Sequence, residues 1–164
     1  MTIRFGILTL SDRSARGERA DLSGPALADL VRAQSWSVTK QAILPDDESA
    51  IRAQLTAWAD SGEVDVILTT GGTGFAPRDV TPEATRAVIQ REAPGIAEAM
   101  RSASLAKTTH AMLSRSVAGM RGKTLIINLP GSPKGALENF QVVIPTLEHA
   151  IQLLKEDPSA EAGH

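Results

Sequence analysis

The chain has 164 residues, a formal net charge of −2 and no cysteine. This length suits one domain with a core of its own, and the missing thiols exclude disulfides, thiolate nucleophiles and cysteine-bound metal. Charges of both signs are evenly spread and only 3% of residues are aromatic, so there is neither a basic stripe for duplex nucleic acid nor a stacking platform for single strands.

Residues 3–10 form an apolar run that predicts a first strand, ended by Ser11-Asp12-Arg13. Arg4 interrupts the run and no small-residue cleavage site follows, so it reads as a strand rather than a signal peptide. No run reaches the ~18 residues of a membrane span. The expected setting is cytoplasmic, with no membrane or nucleic-acid partner. Ser23 is expected to cap a helix with Pro25 in its first turn and Ala26, Leu27, Leu30 and Val31 as its apolar face. Residues 36–44 predict a second strand, after which Asp46 or Asp47 caps a helix with Ile51, Leu55 and Trp58 inward. Residues 64–70 are a β-branched apolar run suited to a strand buried on both faces.

Thr81-Pro82-Glu83 opens the next helix, with a cap residue, a proline and an acid in its first turn. The Met and Leu stripe over residues 100–113 reads as core. Thr124–Leu129 predicts another buried strand, and Ser132-Pro133 starts a final helix carrying Leu137, Phe140, Val143, Leu147, Ile151 and Leu154. Strands alternating with helices predict an α/β fold: a doubly wound, mostly parallel sheet with helices on both faces. One domain is expected over residues 1–156, with a flexible tail at 157–164.

In open α/β sheets ligands bind beyond the carboxyl ends of the strands. Those ends carry Ser11-Asp12-Arg13, Pro45-Asp46-Asp47, Gly71-Gly72-Thr73-Gly74 and Pro130-Gly131-Ser132. The glycines either turn successive N–H groups toward an anion or make a plain tight turn. The dinucleotide fingerprint fails, because Pro77 stands where a third glycine is needed. Gly122-Lys123-Thr124 resembles the end of a Walker A loop, but Val117 occupies the first glycine's place and the stretch precedes its strand. Asp46 and Asp79 either hold Mg²⁺ beside phosphates or serve as a helix cap and an ion pair with Arg78. Arg78, Arg115 and Lys134 are further candidates for phosphate contact. His110, His149 and His164 have no zinc-site spacing.

The stretch TTGGTGFAPRDVTPEAT at residues 69–85, with NLPGSPKGA at 128–136, closely resembles the molybdenum-cofactor biosynthesis proteins. Within them the chain is most similar to the MogA-type molybdopterin adenylyltransferases, and it also resembles the G domains of plant and animal cofactor-assembly proteins. The likeness runs from Gly6-Ile7-Leu8 to the final helix. It implies the molybdenum cofactor biosynthesis protein fold, usually as a homotrimer, and Mg²⁺-dependent transfer of AMP from ATP to the terminal phosphate of molybdopterin. The products are adenylyl-molybdopterin, passed to a downstream molybdate-inserting enzyme, and pyrophosphate. By motif, Asp46 and Asp79 are the catalytic, Mg²⁺-binding acids. Ser11, Asp12, Gly71, Gly72, Thr73 and Gly74 border the ATP phosphates. Ser104, Ser114, Asn128, Pro130, Gly131 and Ser132 surround molybdopterin. MoaB-like relatives share the fold, and both acids being present here implies an active enzyme.

Overall fold

The computed structural model describes residues 1–163. Its strands are β1 (Arg4–Leu10), β2 (Ser37–Leu44), β3 (Val66–Thr70), β4 (Arg91–Glu92), β5 (Ala118–Arg121) and β6 (Thr124–Leu129), in one sheet ordered β2-β1-β3-β6-β5-β4. The first four positions in that order are parallel; β5 pairs antiparallel with β6, and β4 pairs antiparallel with β5 at the edge. The helices are α1 (Asp12–Ala15), α2 (Ser23–Ala33), α3 (Glu48–Asp60), α4 (Thr81–Val88), α5 (Pro94–Leu105) and α6 (Pro133–Leu154). The expected α/β class, mostly parallel sheet and covered faces are all present.

The strand residues alternate between two cores, as the pleat requires. Phe5, Ile7, Leu68 and Ile127 pack with Leu27 and Val31 of α2, Met100 of α5 and Phe140 and Leu147 of α6. Leu8, Ile67 and Ile126 face the other way, onto Ile51, Leu55 and Trp58 of α3 and Ala84 and Val88 of α4. Burial on both sides explains why the central strands read as unbroken apolar runs. Phe5 anchors the first core, stacked on Trp36 at 5.5 Å and edge-on to Phe140 at 5.9 Å.

Several local expectations are corrected. The side chain that caps α2 is Asp21, which accepts the Gly24 N–H at 3.0 Å, and Ser23 lies inside the helix. Asp47, not Asp46, caps α3 through the Ala50 N–H at 2.9 Å. The apolar stripe at 100–113 is only partly core: Met100 is buried, but Leu105, Met112 and Leu113 are exposed. The helical period breaks there, because Thr109–Leu113 forms a separate 3-10 turn. At the C-terminus, Pro158–Gly163 winds into a 3-10 helix with Ala160 buried, and Asp157 accepts the Ser159 N–H at 2.9 Å. His164 lies outside the described residues.

Beneath the amino-terminal ends of the strands, Asp65 is 2% exposed and its carboxylate is held by Arg4 and Lys155. The Arg4 N–H donates to it at 2.8 Å, the Arg4 guanidinium at 2.9 Å, and Lys155 Nζ pairs with it at 2.9 Å. Burial pushes its carboxyl up, but these donors outweigh burial and hold it below the ordinary carboxylate range. At the other end the chain leaves β1 in one direction, toward β2, and returns to place β3 on its opposite side. The crevice at this reversal, between the loops after β1 and β3, is where such folds bind ligands.

Candidate active site

The loop at residues 71–74 begins as an extension of the sheet, with the Gly71 N–H donating to the Leu129 carbonyl at 3.1 Å. Gly71 and Gly72 then take φ values of 106° and 68°, which L side chains rarely adopt. A Cβ at Gly71 would collide with the Leu10 carbonyl, and one at Gly72 with the Thr81 hydroxyl. The turn at Gly131 presses close as well: a Cβ there would sit 3.3 Å from the Gly71 Cα.

All four loop carbonyls are held by the protein. Thr81 gives its hydroxyl to Gly71 O at 2.9 Å and its N–H to Gly72 O at 3.2 Å. Arg115 gives its N–H to Thr73 O and its Nε to Gly74 O, both at 2.8 Å. Among the described residues, the N–H groups of Gly72, Thr73 and Gly74 have no protein acceptor. Carbonyls tied back and donors left free on a turning backbone make a cradle for an anion.

The rest of Arg115 is committed to the same loop. Its Nη1 contacts the Glu83 carboxylate at 2.8 and 3.0 Å, and its Nη2 donates to Asp79 O at 2.8 Å. The bond to Glu83 raises the guanidinium's pKa. Arg115 therefore braces the loop. Arg78 pairs with Asp12 rather than with Asp79, and Lys134 reaches toward Glu138 at 3.9 Å.

Asp46 stands at the end of β2, its N–H donating to Asp12 Oδ1 at 2.8 Å while the Asp12 N–H donates to Asp46 Oδ2 at 3.2 Å. The exchange knits the loops after β1 and β2 together. Asp46 Oδ1 is buried without a hydrogen-bond partner. Burial, and then the negative charge of Asp79, push the Asp46 carboxyl up. Asp79 itself accepts the Ala76 N–H at 3.0 Å. A buried carboxylate oxygen with no donor, beside a second carboxylate, is unfavourable until something positive arrives. A divalent cation fits that need. Among the described residues no group of three or more His, Cys, Asp or Glu is placed to hold a metal. Mg²⁺ is commonly held by one or two carboxylates and completes its shell with water and substrate phosphates.

Two cavities adjoin along the loop. The first, about 310 Å³, is lined by Ser11, Arg19, Asp46, Gly71, Gly72 and Asp79. The second, about 320 Å³, is lined by Thr73, Gly74, Ser104, His110, Ser114 and Pro130. Ser132 lines both, and Gly131 the first. Asp12 lines neither and acts behind Asp46. The structure gathers most residues singled out from the sequence, but not in the expected division: Thr73 and Gly74, expected at the ATP phosphates, line the second cavity with Ser104 and Ser114, and Gly131, expected at molybdopterin, lines the first.

Asn128 is the exception. It is fully buried. Its Nδ2 donates to the hydroxyls of Thr69 at 3.0 Å and Thr85 at 2.9 Å, and its Oδ1 accepts the Val117 N–H at 3.1 Å. It ties β6 to β3 and α4 and lines neither cavity. Sequence reasoning missed Arg19 and Asp21 in the first cavity, and Arg101 and Asn139 in the second. Arg19 lies on an irregular segment with no periodic signal. Arg101 and Asn139 are polar positions on α5 and α6, visible only once those helices are placed.

The fold and site define a doubly wound α/β protein with an anion cradle at its switch point and paired acids beside it. Residues 6–149 match the family described as a probable molybdopterin binding domain, and the chain belongs to that family of molybdenum-cofactor biosynthesis proteins. A molybdopterin adenylyltransferase of Helicobacter pylori is 41% identical over 155 residues, covering 93% of this chain and 88% of the relative. The cinnamon molybdenum cofactor synthesis protein of Drosophila melanogaster is 44% identical over 160 residues. This chain spans 26% of cinnamon and 23% of Dictyostelium discoideum gephyrin. Among solved structures, the molybdopterin biosynthesis enzyme MoaB of Thermus thermophilus superposes with a TM-score of 0.90 at 50% identity, covering 96% of this chain and 99% of that one. A MogA structure gives 0.87 at 38%, covering 92% and 99%.

Proposed function

We propose that this protein is a molybdopterin adenylyltransferase, transferring AMP from ATP to the terminal phosphate of molybdopterin. The observation that carries the reading is the unpartnered Asp46 Oδ1 beside Asp79, in a cavity that meets a second one across an anion cradle. The relatives named molybdopterin adenylyltransferase support it.

In this reading the first cavity takes ATP, with Ser11, Gly71 and the free N–H groups of residues 72–74 around its phosphates. The second takes molybdopterin between Ser104, Ser114 and Pro130, with Gly131 and Ser132 at the junction. An oxygen of the molybdopterin phosphate bonds to the α-phosphorus of ATP. The bond from that phosphorus to the α,β-bridging oxygen breaks, and pyrophosphate leaves with the electron pair. The attacking phosphate is already anionic, so no base is needed, and positioning and charge stabilisation carry the rate. Asp46 and Asp79 would hold Mg²⁺, which when bound supplies neutralisation of phosphate charge. Asp12 keeps Asp46 in place, and Arg115 and Thr81 keep the cradle open. The same reading makes the protein a cytoplasmic homotrimer that hands its product to a molybdate-inserting enzyme. Among the described residues no helix is long and apolar enough to cross a membrane.

The test is to incubate the protein with molybdopterin, ATP and Mg²⁺ and follow adenylyl-molybdopterin by chromatography, with Asp79→Asn as control. Product from the wild type alone is expected. Tight molybdopterin binding without product would reduce the protein to a carrier.

A further inference from the structure

The first cavity contains one basic side chain, Arg19, on the segment between α1 and α2. It is exposed, and among the described residues nothing pairs with it. An exposed arginine is ordinarily solvated surface, so its surroundings decide its meaning. Four other cations near the site are engaged. Arg16 pairs with Glu18 at 2.9 Å, Arg78 with Asp12, Arg115 with Glu83, and Arg101 donates to the Ser116 carbonyl at 2.9 Å. Glu18, the adjacent acid, is held by Arg16, and Asp21, two residues on, is engaged by the Thr9 hydroxyl at 2.8 Å and the Gly24 N–H at 3.0 Å. Arg19 is thus an uncommitted guanidinium in a cavity that also presents Asp46 and Asp79.

The geometry of the transfer gives this position a role. In-line displacement at the α-phosphorus requires the leaving group to depart opposite the attacking oxygen. The attacker comes from the second cavity, across Ser132 and residues 71–74. The leaving phosphates therefore extend into the first cavity, away from the second. Arg19 lines the first and not the second. There the acids repel a polyphosphate, and the free N–H groups of residues 72–74 lie at the junction with the second cavity. A planar guanidinium is the group suited to hold phosphate oxygens by paired charge-assisted bonds.

We propose that Arg19 binds the β- and γ-phosphates of ATP and steadies the departing pyrophosphate. The inference rests on the adenylyl-transfer reading. The experiment is calorimetric titration of inorganic pyrophosphate, ATP and AMP, each with Mg²⁺, into wild type, Arg19→Ala and Arg19→Lys. Melting temperatures should be unchanged, because the side chain is exposed and unpaired. Arg19→Ala should bind pyrophosphate and ATP about ten- to hundredfold more weakly, with AMP unaffected, and Arg19→Lys should fall between. In turnover, pyrophosphate inhibition should weaken in parallel. Equal pyrophosphate affinity in wild type and Arg19→Ala overturns the inference alone, as does an equal loss for AMP, which would move the contact to the nucleoside or the α-phosphate. Wild-type protein that binds neither ATP nor pyrophosphate overturns the adenylyl-transfer reading as well.

Discussion

Thr81 offers the sharpest test of the loop. It is 0% exposed, its hydroxyl bonds Gly71 O at 2.9 Å and its N–H bonds Gly72 O at 3.2 Å. Thr81→Val keeps the shape, removes one donor and puts a methyl where the hydroxyl was. A carbon sits about 3.3 Å or more from a carbonyl oxygen, so the loop must retreat by about 0.4 Å. The buried carbonyl left without a donor costs about 1–3 kcal/mol, and for a domain of this length a central ~2 kcal/mol lowers Tm by about 4–8 °C. The displaced cradle should weaken Mg²⁺–ATP binding about tenfold, since misplacement on the ångström scale reaches about a hundredfold. Thr81→Ser retains the hydroxyl and should keep ATP affinity while losing about 1 kcal/mol of methyl burial. Scanning calorimetry and ATP titration of the three proteins decide the matter. A valine variant with unchanged Tm and unchanged ATP affinity would refute the claim that Thr81 sets the loop. Equal impairment of ATP binding in the serine variant would refute the assignment to the hydroxyl.

Asp46→Asn should reduce turnover by at least about a hundredfold yet leave Tm at neutral pH equal or higher in the absence of Mg²⁺ and nucleotide. The folded-state pKa of Asp46 is raised, so its destabilisation is absent below the unfolded value and complete above the folded one; a lower Tm in the variant would contradict this. Arg115→Met removes the bonds to Gly74 O, Asp79 O and Glu83, and kcat/KM for ATP should fall about ten- to hundredfold; wild-type kinetics would show that the loop holds itself. Asp65→Asn should cost about 2 kcal/mol, below the ~3–5 kcal/mol of stranding a buried charge, because Arg4 and Lys155 are 40% and 33% exposed and can turn to water. Its folded-state pKa is lowered, so the contribution is full above the unfolded value and is lost as pH falls through the folded one. Acid titration of wild type and variant should therefore converge at low pH, and parallel curves would exclude Asp65 as the linked group.

The central strands β1, β3 and β6 were legible because burial on both faces leaves continuous apolar runs, the edge strand β2 showed only partial alternation, and β6 has the bounds its sequence predicts. β4 and β5 were not. β4 is two exposed residues. β5 reads AGMR, and its position is set by distant contacts such as the Ala93 N–H on Ala118 O at 2.8 Å. The place of the site was legible from strand ends, but individual roles were less so. Asn128 is polar near a strand's carboxyl end, which reads as ligand-facing. Its parity with Ile126 turns it toward α4 instead, and that alternation was present in the sequence. Arg115 had no such local signal, since its partners lie 32 to 41 residues away.

The glycines that mark the site are required by the interior as much as by a ligand. At Gly71 the obstacle to a side chain is the Leu10 carbonyl, and at Gly72 it is the Thr81 hydroxyl; both are parts of the fold. The chain must turn here with positive φ because β3 ends against β1 and the Gly131 turn. Once the carbonyls are held by Thr81 and Arg115, the N–H groups of residues 72–74 are left, among the described residues, without a protein acceptor. The anion cradle is thus a consequence of how the loop is packed. This explains why its supports, Thr81 and Arg115, matter to chemistry they do not touch. It also separates two kinds of damage. Gly71→Ala strikes backbone that cannot yield and should fail in folding, whereas Arg19→Ala removes only an exposed guanidinium and should fail in binding.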